Sequence, residues 1–466
     1  DGSVFLDSNE NGIRDPGETG IMEQVVNIRF RDGSLYQTTV TDPSGEYGFA
    51  EVFPFFKWLV TEVDFARLKS TGMTTVVDNG GPLKPMPIYP YATKNAPQPQ
   101  PENGNLGWRT ETGPVLTQAM HLFLNQLNII DWGKNIYPPG ENGGISGVVY
   151  YATTRAEPDP RLAVAELWEP GIPRVQVALY RDSNNDGVID DINGTPGIQL
   201  ADVDNHPLGW STGGPKGPED IDRNNNGVFD TGDALDVTWT DSWDDTKPTG
   251  CIQTLPVIHG QTVNECYDNY GTWNQVRPGV FDGGYAFGPN LSPGTYIVHA
   301  VPPPGYEIVK EEDKTVDFGE TYAPPPLAVP WPCVGNTANT LEPQHVVPPF
   351  LQLFPDQEIP APNAGLATPL CHMRQVNVVN IQNSAADFFL FTEVPKAARV
   401  VGFVNNDLAA EFDTTSPVFG EKASPKWIPI SFQDWTGKEI VRVYADEFGS
   451  YNALLPSTYT MNIPAP

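Results

Sequence analysis

The chain has 466 residues with 58 acidic and 27 basic side chains, a formal charge of −31. That balance excludes nucleic acid as a partner, because phosphate recognition needs clustered Lys and Arg, and it argues against anionic membrane surfaces for the same reason. With 48 Pro and 44 Gly the chain is rich in turns, yet 11 Trp, 17 Tyr and 22 Phe argue against disorder. Turn-rich and aromatic-rich together predict an all-β protein with long loops, long enough for three or four domains of about 100–150 residues. No run of about 20 apolar residues occurs, so no transmembrane helix is expected. Asp1 does not open a signal peptide, and the chain reads as a mature or trimmed piece of a longer exported protein.

The chain opens on a small apolar strand, Gly2-Ser3-Val4-Phe5, followed by Asp7-Ser8-Asn9-Glu10-Asn11-Gly12-Ile13-Arg14-Asp15-Pro16-Gly17-Glu18. This stretch fits the twelve-residue calcium-loop pattern at every specified position. Asp7, Asn9, Asn11, Asp15 and Glu18 carry the side-chain oxygens, Ile13 offers its backbone carbonyl, and Gly12 makes the sharp turn. An alternating strand at Val26–Phe30 and a Gly-x-Tyr step at Gly45-Glu46-Tyr47 follow, and Thr117–Asn128 is the one notable helix candidate.

The same ordered set of features returns at Ile145–Val149, Val175–Leu179 and Gly283-Gly284-Tyr285, and again at Val400–Val404, Trp427–Phe432 and Gly449-Ser450-Tyr451. Period-two alternation buries one face of each strand against a second sheet, and the tyrosine is expected to cap that core with its hydroxyl at the edge. An Asp-aromatic strand is expected to close the copies, at Asp131-Trp132-Gly133 in the first, at Asp317-Phe318-Gly319 in the second, and in a third instance at Asp387-Phe388-Phe389. The predicted domains are sandwiches at 1–138, 143–322 and 397–466. A proline-rich segment at 323–394 is either a degenerate sandwich or a disulfide-tied extension of the second. Inside the second copy lies an insertion, 182–280, with two partial calcium loops. One offers Asp182, Asn184, Asp186, Val188 and Asp190; the other offers Asp222, Asn224, Asn226, Val228, Asp230 and Asp233. Such an insertion is too long for a structureless connection.

The set G-x-V-F-x-D-x-N-x-N-G-x-x-D-x-G-E-x-G, Gly-x-Tyr-x-Phe and Pro-Gly-x-Tyr resembles the B domains of bacterial serine-aspartate repeat surface adhesins, part of the collagen-adhesin B-type group. The likeness is strongest over 1–65, fair for 143–181 with 280–320, weaker for 397–466, and absent from the insertion and from 323–394. It implies tandem Ig-like or prealbumin-like β-sandwiches with EF-hand-like calcium loops, used as an extracellular stalk. It also places the first loop's ligands on Asp7, Asn9, Asn11, Asp15 and Glu18. Some members join a Lys to an Asn or Asp by an isopeptide bond. No Lys lies on the early strands of this chain, so none is expected here.

Four cysteines, Cys251, Cys266, Cys333 and Cys371, form no C-x-x-C pair and suggest two disulfides in an oxidising compartment, paired most simply as neighbours. Cys371-His372-Met373 contains soft ligands, but consecutive strand residues face opposite ways and rarely share a metal. Leu455-Pro456-Ser457-Thr458-Tyr459 resembles a cell-wall sorting signal without its final Gly, and reads as a strand. No phosphate loop is present, and no enzyme is expected. The expected function is a structural or adhesive cell-surface module, a Ca²⁺-rigidified rod. Its partners would be neighbouring domains, copies of itself, or a host or matrix protein or glycan. The alternatives are a glycan- or protein-binding module using 182–280, where Trp210, Trp239, Trp243 and Trp273 could stack on sugars, and an appendage of a secreted enzyme.

Overall fold

The computed structural model describes residues 1–30, 32–50, 52–53, 57–62, 67–77, 86–87, 92–93, 107–122, 127–173, 175–189, 203–204, 236–241, 276–278, 281–288, 291–303, 305–314, 329–335, 345–353, 357–392, 398–406, 408–410, 422–433, 439–446 and 449–455. Among these the regular structure is almost wholly strand, with helix confined to the 3-10 turns Pro160–Leu162 and Glu311–Asp313.

The first eleven strands are β1 (Gly2–Leu6), β2 (Val25–Arg29), β3 (Leu35–Val40), β4 (Glu46–Tyr47), β5 (Lys57–Glu62), β6 (Leu68–Val77), the hairpin β7 (Met86–Pro87) and β8 (Ala92–Thr93), β9 (Arg109–Thr112), β10 (Thr117–His121) and β11 (Asn128–Ile136). They form one sheet of order β4-β1-β11-β6-β9 and most of a second, β16-β10-β5-β2-β3, whose edge strand β16 (Val276–Pro278) comes from far downstream. Val4, Met73, Ile130 and Trp132 from one sheet and Val26, Ile28, Trp58 and Val60 from the other share a single buried cluster, so the sheets pack face to face. Alternation explains the burial: Val26 and Ile28 point inward, while Asn27 between them accepts from Thr38 Oγ1 across the β2–β3 ladder (2.9 Å).

The next set is β12 (Ile145–Tyr151), β13 (Gln176–Arg181), β14 (Val203–Asp204), β15 (Asp236–Trp239), β17 (Gly284–Phe287), β18 (Gly294–Val301), β19 (Glu307–Ile308), the pairs β20 (His345–Val346) with β23 (Ala367–Thr368) and β21 (Phe350–Leu353) with β22 (Gln357–Pro360), then β24 (Met373–Val378), β25 (Ser384–Ala385) and β26 (Phe388–Phe391). Its sheets run β17-β12-β26-β19, with β25 joined to β12, and β14-β15-β13-β18-β24, around a core of Ile145, Val149, Val177, Leu179, Val298, Val376 and Phe388. The order β17-β12-β26-β19 repeats β4-β1-β11-β6, and β15-β13-β18-β24 repeats β3-β2-β5-β10. Further on, β27 (Ala398–Phe403) pairs antiparallel with β30 (Ser450–Leu455), and β28 (Pro429–Gln433) with β29 (Glu439–Tyr444).

Three expectations need correction. Thr117–Asn128 is not a helix: Thr117–His121 is β10, hydrogen-bonded to β5 on one side and β16 on the other. Its apolar spacing suits either period, and pairing on both edges decides for the strand. The division at 322/323 is crossed by the sheets, since β24 pairs with β18 and β26 with β12. The closing Asp-aromatic strand of this sandwich is therefore the one after Asp387, and Asp317-Phe318-Gly319 lies outside the described residues. The tyrosine hydroxyls are not at an edge but inside. Tyr47 donates to Ile130 O (2.8 Å) and Tyr285 to Ala386 O (2.5 Å), in each case the carbonyl just before the Asp of the closing strand.

The two sandwiches are joined by more than their linker. Leu35 N donates to Leu167 O (2.8 Å), Gly171 N to Asp32 O (2.6 Å), and the Arg29 guanidinium lies over the Phe281 ring. Tyr47 also accepts from Trp132 Nε1 (3.1 Å). Tyr47→Phe therefore strands a buried indole N–H as well as a carbonyl and is expected to cost about 1–3 kcal/mol, whereas Tyr285→Phe loses one bond and about 1 kcal/mol. Urea midpoints of the two variants, measured in calcium, should rank in that order.

Candidate metal centre

The first loop leaves β1 at Asp7, whose side chain is fully buried. Burying a carboxylate is costly unless donors surround it. Here Oδ1 accepts from Asn11 N (3.1 Å), and Oδ2 accepts from Gly12 N (2.9 Å) and from Thr71 Oγ1 on β6 (2.6 Å). Asn9 Oδ1 accepts from Asn11 N (3.1 Å) and Asn11 Oδ1 from Ile13 N (2.7 Å), so successive Asx turns wind the chain. Glu10 and Gly12 take positive φ (58° and 74°). At Gly12 a Cβ would also meet Glu111 O at 2.7 Å, so both conformation and space require glycine. Asp15 Oδ2 accepts from Asn9 Nδ2 (2.8 Å) and Asn11 Nδ2 (2.9 Å), bringing loop positions 3, 5 and 9 together. Glu18, at position 12, folds back to accept from Ser8 N (2.8 Å) and Asp15 N (3.0 Å).

The loop after β13 is wound the same way. Asp182, buried, accepts from Asp186 N (3.2 Å) and Gly187 N (2.9 Å); Asn184 Oδ1 accepts from Asp186 N (3.1 Å) and Asp186 Oδ1 from Val188 N (2.8 Å). Asn185 and Gly187 repeat the positive φ values (61° and 73°). The outside donor here is Gln375 Nε2 of β24, at 2.7 Å from Asp182 Oδ2. Asp190, the whole third loop (Asp222, Asn224, Asn226, Val228, Asp230, Asp233), Cys251, Cys266, Trp210, Trp243 and Trp273 lie outside the described residues. Cys333 and Cys371 are joined in a disulfide, with Cα atoms 4.9 Å apart, beside the bridge from Cys333 to Arg374.

The donors in both loops are carboxylate and amide oxygens, with neither imidazole nor sulfur among them. Such a set suits a hard cation such as Ca²⁺. Around the first loop, Lys69 Nζ meets Glu10 (2.8 Å) and Glu141 (3.1 Å), tying the loop to the segment that leads into β12.

Sequence reasoning missed the outside anchors Thr71 and Gln375, for which no local signal exists. It also missed the pair Lys134 Nζ–Glu62 Oε2 (2.5 Å), fully buried between the sheets. For Lys134 a signal was present, because Ile130, Trp132 and Lys134 alternate onto one face of β11.

Residues 2–79 match the family model of the SdrD B-like domain. No curated protein matches the chain. The SdrD B-like segment holds β1 to β6, the whole first loop and its anchor Thr71, while β11 lies beyond it. SdrD B-like domains are structural modules of surface adhesins. Among the described residues no helix is long and apolar enough to cross a membrane.

One buried carboxylate lies at the junction of the sandwiches. Glu169 accepts from Thr154 N (2.9 Å) and Glu166 N (3.1 Å), yet burial pushes its pKa from 4.5 up to about 8. The folded state thus holds this proton more tightly than the unfolded state. Glu169 withdraws stability as pH rises from about 4.5 to about 8, and no further above that. Glu169→Gln removes the titration, so the melting temperature of the variant relative to wild type should climb across that pH window and level off outside it.

Proposed function

We propose that this chain is a structural, adhesin-type module of the cell surface, in which copies of one sandwich follow in series and calcium stiffens them. The reading rests on the paired loops: each has a buried first aspartate hydrogen-bonded to a strand remote in sequence, Thr71 for Asp7 and Gln375 for Asp182. An ordinary surface turn gains nothing from that connection. The first ion would be held by Asp7, Asn9, Asn11, Asp15, Glu18 and the Ile13 carbonyl. The second would be held by Asp182, Asn184, Asp186, Asp190 and the Val188 carbonyl. Bound Ca²⁺ supplies positive charge against a chain of net −31 and crosslinks oxygens spread over each loop. Through Lys69 the first loop reaches Glu141, so order in the loop extends to the start of the next sandwich. Repetition of the strand order supports copies in series, and the partners of such a rod are neighbouring domains or further copies.

The test is thermal unfolding in millimolar calcium against EDTA with added magnesium. At about a hundredfold excess over Kd one site adds about 2.7 kcal/mol, a rise on the order of 5 °C or more. Asp15→Ala and Glu18→Gln, which leave the buried Asp7 in place, should forfeit the first loop's share of that rise. Identical curves with and without calcium would refute the proposal.

A further inference from the structure

A second group of ligand-type side chains lies away from the calcium loops, where the 3-10 turn Glu311–Asp313 meets the start of β20. His345 Nε2 is 2.9 Å from Glu312 Oε2 and 3.8 Å from Glu311 Oε2, and one ligand atom from each of the three lies within 4.8 Å of the others. Ligand atoms about 2.1 Å from a shared tetrahedral ion stand about 3.4 Å apart, between the two measured separations.

The turn is pinned before any ion arrives. Lys310 N donates to Asp313 Oδ2 (2.9 Å), Asp313 O accepts from Arg155 Nε (2.8 Å), and Arg155 Nη1 donates to Ala152 O (2.6 Å). Glu311 is 3% exposed. Its carboxylate accepts from its own backbone N–H, and His345 stands at a distance too long for a hydrogen bond. Arg161 feels the Glu311 charge, but its guanidinium is forked onto Asp159 (2.6–3.0 Å).

We propose that Glu311, Glu312 and His345 form a binding site for a first-row divalent transition ion such as Zn²⁺, distinct from the calcium loops. An imidazole with two carboxylates suits zinc, whereas three ligands are too few for Ca²⁺, which takes 6–8 oxygens. The ion would clamp the turn to β20 across the intervening chain, much as the Cys333–Cys371 disulfide clamps its neighbour.

Native mass spectrometry of the full chain in calcium buffer, titrated with zinc chloride, counts the ions bound. Wild type should take up one zinc more than His345→Ala and one more than Glu312→Gln, and zinc should raise the melting temperature of wild type alone. Glu312 is one of the two more exposed ligands, so Glu312→Gln keeps the test valid if His345→Ala folds poorly. Adventitious binding at other histidines would appear equally in all three proteins. Equal zinc counts in the three, no zinc on wild type, or loss in His345→Ala without loss in Glu312→Gln would each overturn the proposal.

Discussion

Each of the first two sandwiches is closed by a parallel ladder between its first and last strands, β1 with β11 and β12 with β26, and beside each seam one position has no room for a side chain. A Cβ at Gly2 would run into the Ile130 carbonyl and the Tyr47 hydroxyl; at Gly147 it would run into the Ala386 carbonyl and the Tyr285 ring. Glycine on the first strand lets the tyrosine of the neighbouring strand slide under it and bond the carbonyl of the last. Three elements far apart in sequence are thereby held by one contact. In the third unit Gly402 stands against the Tyr451 ring in the same relation.

That closure sets the stage for the loops. Asp7 begins where β1 ends, and its backbone N–H donates to Lys134 O (2.8 Å), so the first ligand position is an extension of the seam. Asp182 continues β13 in the same way, with its N–H on Thr295 O of β18 (3.0 Å). A buried carboxylate with several donors is costly to disturb, because losing one donor leaves charge stranded in a medium of low dielectric. The loops therefore inherit the rigidity of the sheets instead of hanging from them.

Much of the site was legible in the sequence because it is local. Asx side chains spaced two apart bond backbone N–H groups two residues on, and glycine at the sixth position permits positive φ, so Asp7–Gly12 and Asp182–Gly187 predict their own winding. The strands at Val26–Phe30 and Ile145–Val149 were equally legible from alternation. Thr117–His121 was not, because its apolar residues satisfy two periods at once. The closing strand of the second sandwich was misplaced for another reason: Asp317-Phe318 and Asp387-Phe388 look alike, and only the ladder with β12 selects the latter.

The sequence by itself determined the all-β class, the recurring Gly and Gly-x-Tyr steps and the winding of two oxygen-rich loops, since each depends on residues within a few positions of one another. The tertiary structure alone decided that the strands within 373–391 complete the second sandwich, that β16 crosses to the first, that Thr71 and Gln375 anchor the buried aspartates, and that Glu311, Glu312 and His345 meet. Those pairings join residues tens to hundreds of positions apart, and they are selected by the packing of whole sheets, which no local pattern encodes.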